Sequence, residues 1–138
     1  MKKILISVIA VMLILISFYF GYRYYNGPKI IEGVVATNID DKGEAVDIAT
    51  EFSPEDTVYF SAKGNRFWIK KAQVVWYRDK ARKENRFLVQ DDIAISKGGY
   101  FSTKLSVPEG LEEGYYAVCI YVAGKDIVET GTEFYVRR

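Results

Sequence analysis

The stretch Gly114-Tyr115-Tyr116-Ala117-Val118-Cys119-Ile120-Tyr121-Val122 decides the fold. Tyr116, Val118, Ile120 and Val122 fall on one side of an extended chain, and Tyr115, Ala117, Cys119 and Tyr121 on the other. That period of two is the spacing of a β-strand, whose successive side chains point to opposite faces. Ala123-Gly124-Lys125-Asp126 follows as a tight hairpin, and a last strand returns over residues 127–136 with Phe134 and Val136 facing in. Working backward, residues 99–107 set Phe101, Thr103, Leu105 and Val107 against Tyr100, Ser102, Lys104 and Ser106. Val58, Phe60 and Ala62 make one more inward face, Val74 and Trp76 another, and residues 87–95 supply a further strand. Two weaker segments, residues 30–37 and 45–52, are expected as edge strands. Strands joined by turns, with no helical periodicity to supply crossovers, predict an all-β antiparallel sandwich or barrel.

The amino-terminal end is of a different kind. Met1-Lys2-Lys3 precedes an apolar run from Ile4 to Phe20 broken only by Ser7 and Ser17. Extended to Tyr22, the run rises roughly 28 Å as a helix, close to the ~30 Å of a bilayer's hydrocarbon core. It reads as a retained signal anchor or a cleaved signal peptide. Cleavage wants a shorter apolar core and small residues after it. Here Phe18-Tyr19-Phe20-Gly21-Tyr22-Arg23-Tyr24-Tyr25 supplies bulky rings instead, which suit an interfacial belt. The only cysteine lies far downstream and no acidic residue precedes Glu32, so neither lipidation nor pilin-type processing fits. The expected organisation is an anchor over residues 1–25, a linker at 26–29 around Asn26-Gly27-Pro28, and a sandwich domain over 30–138. The α-amino group with Lys2 and Lys3 outweighs Arg23 and Lys29, which favours the amino terminus inside and the domain outside.

One constellation narrows the sandwich. Trp76 sits in the third confident strand, and Glu112-Glu113-Gly114-Tyr115-Tyr116-Ala117-Val118 precedes and opens the decisive one. This resembles the immunoglobulin-like sandwich, in which a core tryptophan lies on strand C and a corner tyrosine sits two residues before a strand-F cysteine. The resemblance implies that Trp76 and Tyr116 are structural, with Gly114 at the corner. Val118 stands in the place of that cysteine, with Val58 or Phe60 across from it, so apolar packing replaces the disulfide. The order Phe52-Ser53-Pro54-Glu55-Asp56-Thr57-Val58-Tyr59-Phe60, Val74-Val75-Trp76-Tyr77, Gly99-Tyr100-Phe101, Leu111 to Tyr116, then Phe134-Tyr135-Val136 is similar to an immunoglobulin-like module of membrane-anchored bacterial envelope proteins. About seven or eight strands behind one transmembrane helix is the fold it implies.

Composition removes much chemistry. The 138 residues include no histidine, which excludes histidine acid–base catalysis and the common zinc, copper and haem ligand sets. A single cysteine, Cys119, excludes an intrachain disulfide, and its apolar strand makes it a small core residue. Asp40-Asp41 lacks the calcium-loop spacing, because Lys42 and Ala49 stand where oxygen ligands are needed. Asp91 and Asp92, adjacent on a strand, point apart and cannot flank one bond. Lys97-Gly98-Gly99 has no following helix and reads as a turn. No catalytic residue, cofactor, metal or small-molecule substrate is indicated.

Charge carries the remaining signal. Lys plus Arg is 19 against 18 acidic residues, so net charge suggests no nucleic-acid partner. Locally the balance is uneven. Residues 63–86 hold nine basic residues against Asp79 and Glu84, and residues 32–56 hold eight acidic residues against Lys42. Arg78, Lys80, Arg82, Lys83 and Arg86 form a candidate patch for an acidic partner or anionic head groups. The other reading is a solvated loop whose charge is met by the acidic strands of the same domain. The chain is therefore expected to be a non-enzymatic, single-pass, extracytoplasmic binding or accessory module for another envelope protein. The alternatives are a structural subunit of a surface assembly and, behind it, a hydrolase using carboxylates or hydroxyls.

Overall fold

A computed structural model describes residues 1–138. The first element is one helix, α1, Lys2–Asn26. None of its side chains is buried, and it is long and apolar enough to cross a membrane. At 1.5 Å per residue its 25 residues reach about 37 Å. The two hydroxyls within the apolar run are satisfied inside the helix itself. Ser7 donates to the Lys3 carbonyl at 2.9 Å and Ser17 to that of Leu13 at 2.8 Å. Inside a bilayer, where no water is available, that would remove the cost of bare polar groups.

Nine strands follow, two of them short: β1 Ile30–Ile39, β2 Ala45–Ile48, β3 Glu51–Phe52, β4 Val58–Gly64, β5 Lys71–Arg78, β6 Arg86–Ala94, β7 Tyr100–Leu105, β8 Gly114–Val122 and β9 Val128–Val136. They form two sheets, ordered β2-β1-β4-β7 and β3-β9-β8-β5-β6. The all-β sandwich behind one apolar helix is thus what the chain builds. Three details differ from expectation. β1 is not an edge, because it pairs with β2 on one side and β4 on the other. Residues 45–52 are not one strand. Ala49 donates to Val35, Thr50 accepts from Tyr135, and the chain changes sheets between β2 and β3. β3 then runs parallel to β9, pairing Glu51 with Tyr135 and Phe52 with Val136, so the second sheet is mixed rather than wholly antiparallel.

The core lies between the inner faces. Val58, Phe60 and Ala62 of β4 and Phe101 and Leu105 of β7 meet Ala72, Val74 and Trp76 of β5. Tyr116, Val118 and Ile120 of β8 and Phe134 and Val136 of β9 complete it. Trp76 is wholly buried, edge-on to Phe60 and Phe134, with ring centroids 6.5 and 6.1 Å away. Its indole N–H donates to Gln90 Oε1 at 2.7 Å. Gln90 also accepts from Thr103 Oγ1 at 2.9 Å, and its Nε2 donates to the Lys104 carbonyl at 3.0 Å. One amide on β6 therefore fastens the open flank of one sheet to β7 of the other.

Helix and sandwich are joined by aromatic and polar contacts at the loop between β4 and β5. Trp68 stacks on Tyr25 at 5.8 Å and meets Tyr24 edge-on at 5.6 Å. The Arg66 guanidinium lies 4.0 Å from the centre of the Tyr24 ring, and its Nε donates to the Tyr24 carbonyl at 2.7 Å. Asn65 spans the linker, donating its side-chain amide to Pro28 and its backbone N–H to Lys29, each at 2.8 Å. The linker is short, and side chains hold it on both sides.

Candidate functional site

The five basic residues singled out by sequence occupy the end of the sandwich far from the helix. β5 starts beside the loop that grips α1 and runs eight residues to Arg78, about 25 Å at a strand's rise. There the chain turns through residues 79–85. Asp79 takes a left-handed conformation (φ 75°), and a single 3-10 turn, Lys83–Asn85, leads into β6. Asn85 braces the turn by donating its amide to the Lys80 carbonyl at 2.9 Å. Lys80, Arg82 and Lys83 all project into solvent, and none forms an ion pair.

The other two play different parts. Arg78 is folded back onto the loop before β8, donating to the carbonyls of Glu113 at 2.6 Å and Tyr115 at 3.3 Å. It also lies 3.6 Å from the Glu112 carboxylate and 4.6 Å from the centre of the Tyr116 ring. Gly114 makes room for it. A Cβ there would stand 2.7 Å from an Arg78 nitrogen, and φ at Gly114 is 139°, a backbone state side chains rarely adopt. Tyr116 completes the corner, donating its hydroxyl to the Glu112 carbonyl at 2.7 Å. Burial pushes its hydroxyl pKa up, and the Arg78 charge partly opposes that.

Arg86 belongs to the outer face of the larger sheet. Its guanidinium lies over the Tyr77 ring, 5.8 Å from the centroid, and against the hydroxyls of Tyr77 and Tyr121. Those hydroxyls are 2.6 Å apart and buried. Tyr121 is pushed up to about 12, first by burial and then by the Tyr77 hydrogen bond. With Val75, Ala117 and Cys119 these tyrosines form a small second apolar cluster on the sheet face opposite the main core. Cys119 is buried among them, and burial pushes its thiol pKa up. That disfavours the thiolate and hence reactivity. The cross-strand neighbour is Gly131, whose missing side chain gives Cys119 its space, since a Cβ there would lie 2.9 Å from the sulfur.

Other sequence candidates are part of turns. Asp40 accepts from the backbone N–H groups of Lys42 and Glu44 at 2.9 and 3.0 Å within its own hairpin. Asp91 accepts from Gln73 Nε2 at 2.6 Å, and Asp92 sits at an irregularity of β6 with φ 55°. Gly99, at φ 89°, closes the turn before β7. No group of three or more Asp, Glu or Cys side chains is disposed to hold a metal ion. The chain's two ion pairs are Arg78–Glu112 and Arg137–Glu51, so none links the acidic segment 32–56 to the basic segment 63–86.

No family model and no curated protein matches the chain. Among solved structures, it is similar to the PmoD soluble domain from Methylocystis sp. ATCC 49242 (Rockwell), at 12% identity and a TM-score of 0.48. That likeness covers 78% of this chain and 90% of that one.

Proposed function

We propose that the protein is a non-enzymatic, single-pass binding module. Its sandwich stands on the extracytoplasmic side and offers the tip between β5 and β6 to an acidic surface of another envelope protein. The supporting observation is the trio Lys80, Arg82 and Lys83, exposed and unpaired at the end opposite the helix. No ion pair joins them to the acidic early strands, and a braced turn carries them. Distance selects the partner. A tip about 25 Å beyond the helix exit lies some three screening lengths from the bilayer at physiological ionic strength, where the length is about 8 Å. Head groups of the same membrane are too remote, so a protein is the better fit. Orientation follows from Lys2 and Lys3 at the start of α1, and tethering raises the tip's concentration near membrane partners.

The test reverses Lys80, Arg82 and Lys83 to Glu in the full chain and recovers co-purifying proteins from gently solubilised membranes. Partner yield should fall at least tenfold, with unchanged folding, and binding by the parent should weaken as salt rises. Equal yields from parent and variant at low and high salt would defeat the reading.

A further inference from the structure

We infer that the loop between β4 and β5 is a second membrane contact. Phe67 and Trp68 enter the interfacial layer of the bilayer that α1 spans, and Lys70 and Lys97 meet lipid phosphates. The inference rests on reading α1 as a membrane span. The hydrocarbon core takes about 20 helical residues. A span beginning after Lys2 and Lys3 therefore leaves Tyr24 and Tyr25 in the head-group layer. Trp68 is packed directly on both rings, so it shares their depth. Phe67 stands perpendicular to Trp68 with centroids 5.1 Å apart and is 77% exposed, packed on no other ring. A phenylalanine left bare in water is costly, whereas beside interfacial tyrosines it has apolar surroundings.

The charges agree. Next to Phe67 a cleft of about 380 Å³ is lined by Arg66, Lys70 and Lys97, with no carboxylate among its lining residues. Arg66 is spent on Tyr24 and on the Asn65 carbonyl, 2.7 Å from its Nη1. Lys70 and Lys97 are exposed and unpaired. Of the carboxylates at this end, Glu129 accepts from the Lys29 backbone N–H at 2.9 Å, and the Asp40–Asp41 turn meets the cleft through Lys42, whose carbonyl accepts from Ser96. Cations beside exposed rings at the exit of a membrane helix suit anionic head groups.

The chain has two tryptophans, and Trp76 is wholly buried in the core, so Trp68 is the reporter. The full chain is placed in nanodiscs whose lipids carry bromine at the shallow 6,7-position of the acyl chain. Emission lost on Trp68→Phe defines the Trp68 component. Bromolipid should quench that component by at least half, Phe67→Ser should reduce the quenching, and aqueous iodide should quench it little. Quenching should be stronger in phosphatidylglycerol discs than in phosphatidylcholine discs, and Lys70→Gln with Lys97→Gln should erase the difference. A chain that resists alkaline extraction yet shows Trp68 open to iodide and untouched by bromolipid would overturn the inference and leave the span standing. Release by alkaline extraction would overturn both. Equal quenching in the two lipids, by parent and double variant alike, would overturn the lysine contacts.

Discussion

Replacing Trp76 with alanine tests the core most directly. The side chain is fully buried against Phe60 and Phe134, and its N–H is bonded to Gln90. Truncation removes roughly 150–200 Å² of buried apolar surface, which at about 25 cal/mol per Å² is near 4–5 kcal/mol. Large-to-small changes in cores cost about 3–5 kcal/mol, so we take about 4. A domain of some 110 residues has roughly 5–15 kcal/mol in hand, and the variant is left with little. With an unfolding entropy of about 2.1 cal/mol/K per residue, 4 kcal/mol lowers Tm by about 17 °C. The assay is thermal and urea unfolding of the detergent-solubilised full chain, followed by near-ultraviolet circular dichroism. Trp76→Phe keeps most of the packing and should cost only about 1–2 kcal/mol, chiefly the lost hydrogen bond. A cycle with Gln90→Ala should return a coupling near 1 kcal/mol. A Tm within about 4 °C of the parent for Trp76→Ala would refute the packing described.

Two other outcomes follow from the outer face. Gly131→Ala should destabilise the sandwich by about 1–3 kcal/mol in urea titrations, because its Cβ would meet the Val118 carbonyl at 2.7 Å and the Cys119 sulfur at 2.9 Å. A neutral effect would mean that β8 and β9 separate more easily than drawn. The Tyr77–Tyr121 pair predicts alkaline behaviour. The folded-state value of Tyr121 lies above the ordinary 10, so its contribution is complete below pH 10 and is lost as pH rises through about 12. Absorbance at 295 nm should show Tyr121 ionising only well above pH 10, together with unfolding, and Tyr121→Phe should blunt that pH dependence. A parent and a Tyr121→Phe variant with the same alkaline titration and the same loss of stability would contradict it.

Period-two alternation carried the inner faces. Phe101 with Leu105, Tyr116 with Val118 and Ile120, and Phe134 with Val136 all point where their spacing puts them, and all are buried. Alternation says which way a side chain faces but not which strand lies beside it. That is why residues 45–52 read as one strand, although Thr50 and Tyr135 bond across 85 positions and divide it. It is also why residues 30–37 read as an edge. Nor can a count of charges say where each one points. Arg78, Lys80, Arg82, Lys83 and Arg86 look alike in sequence, yet one ties a loop and one lies on two tyrosines, and only three are free. In the sequence, Trp68 is simply an aromatic flanked by Arg66, Lys70 and Lys71. Its contact with Tyr24 and Tyr25 depends on a helix some forty residues upstream. The outer cluster could have been suspected, because Ala117, Cys119 and Tyr121 make the far face of β8 as apolar as the near one.

The Gln90 bridge has a consequence for a domain that a membrane span would confine to a plane. A tethered domain meets its own copies at high two-dimensional concentration, and any unpaired strand then invites intruders. On this flank, β6 presents a free edge nine residues long, the natural place for a foreign chain to dock. The amide that reaches from it to β7 holds the two sheets together there, and the irregularity at Asp91 and Asp92 interrupts the strand's regular course. The opposite flank ends in β2 and β3, only four and two residues long. Pairing between neighbouring copies would therefore fall on the β6–β7 flank, where the bridge holds the two sheets together but leaves their outer backbone edges free.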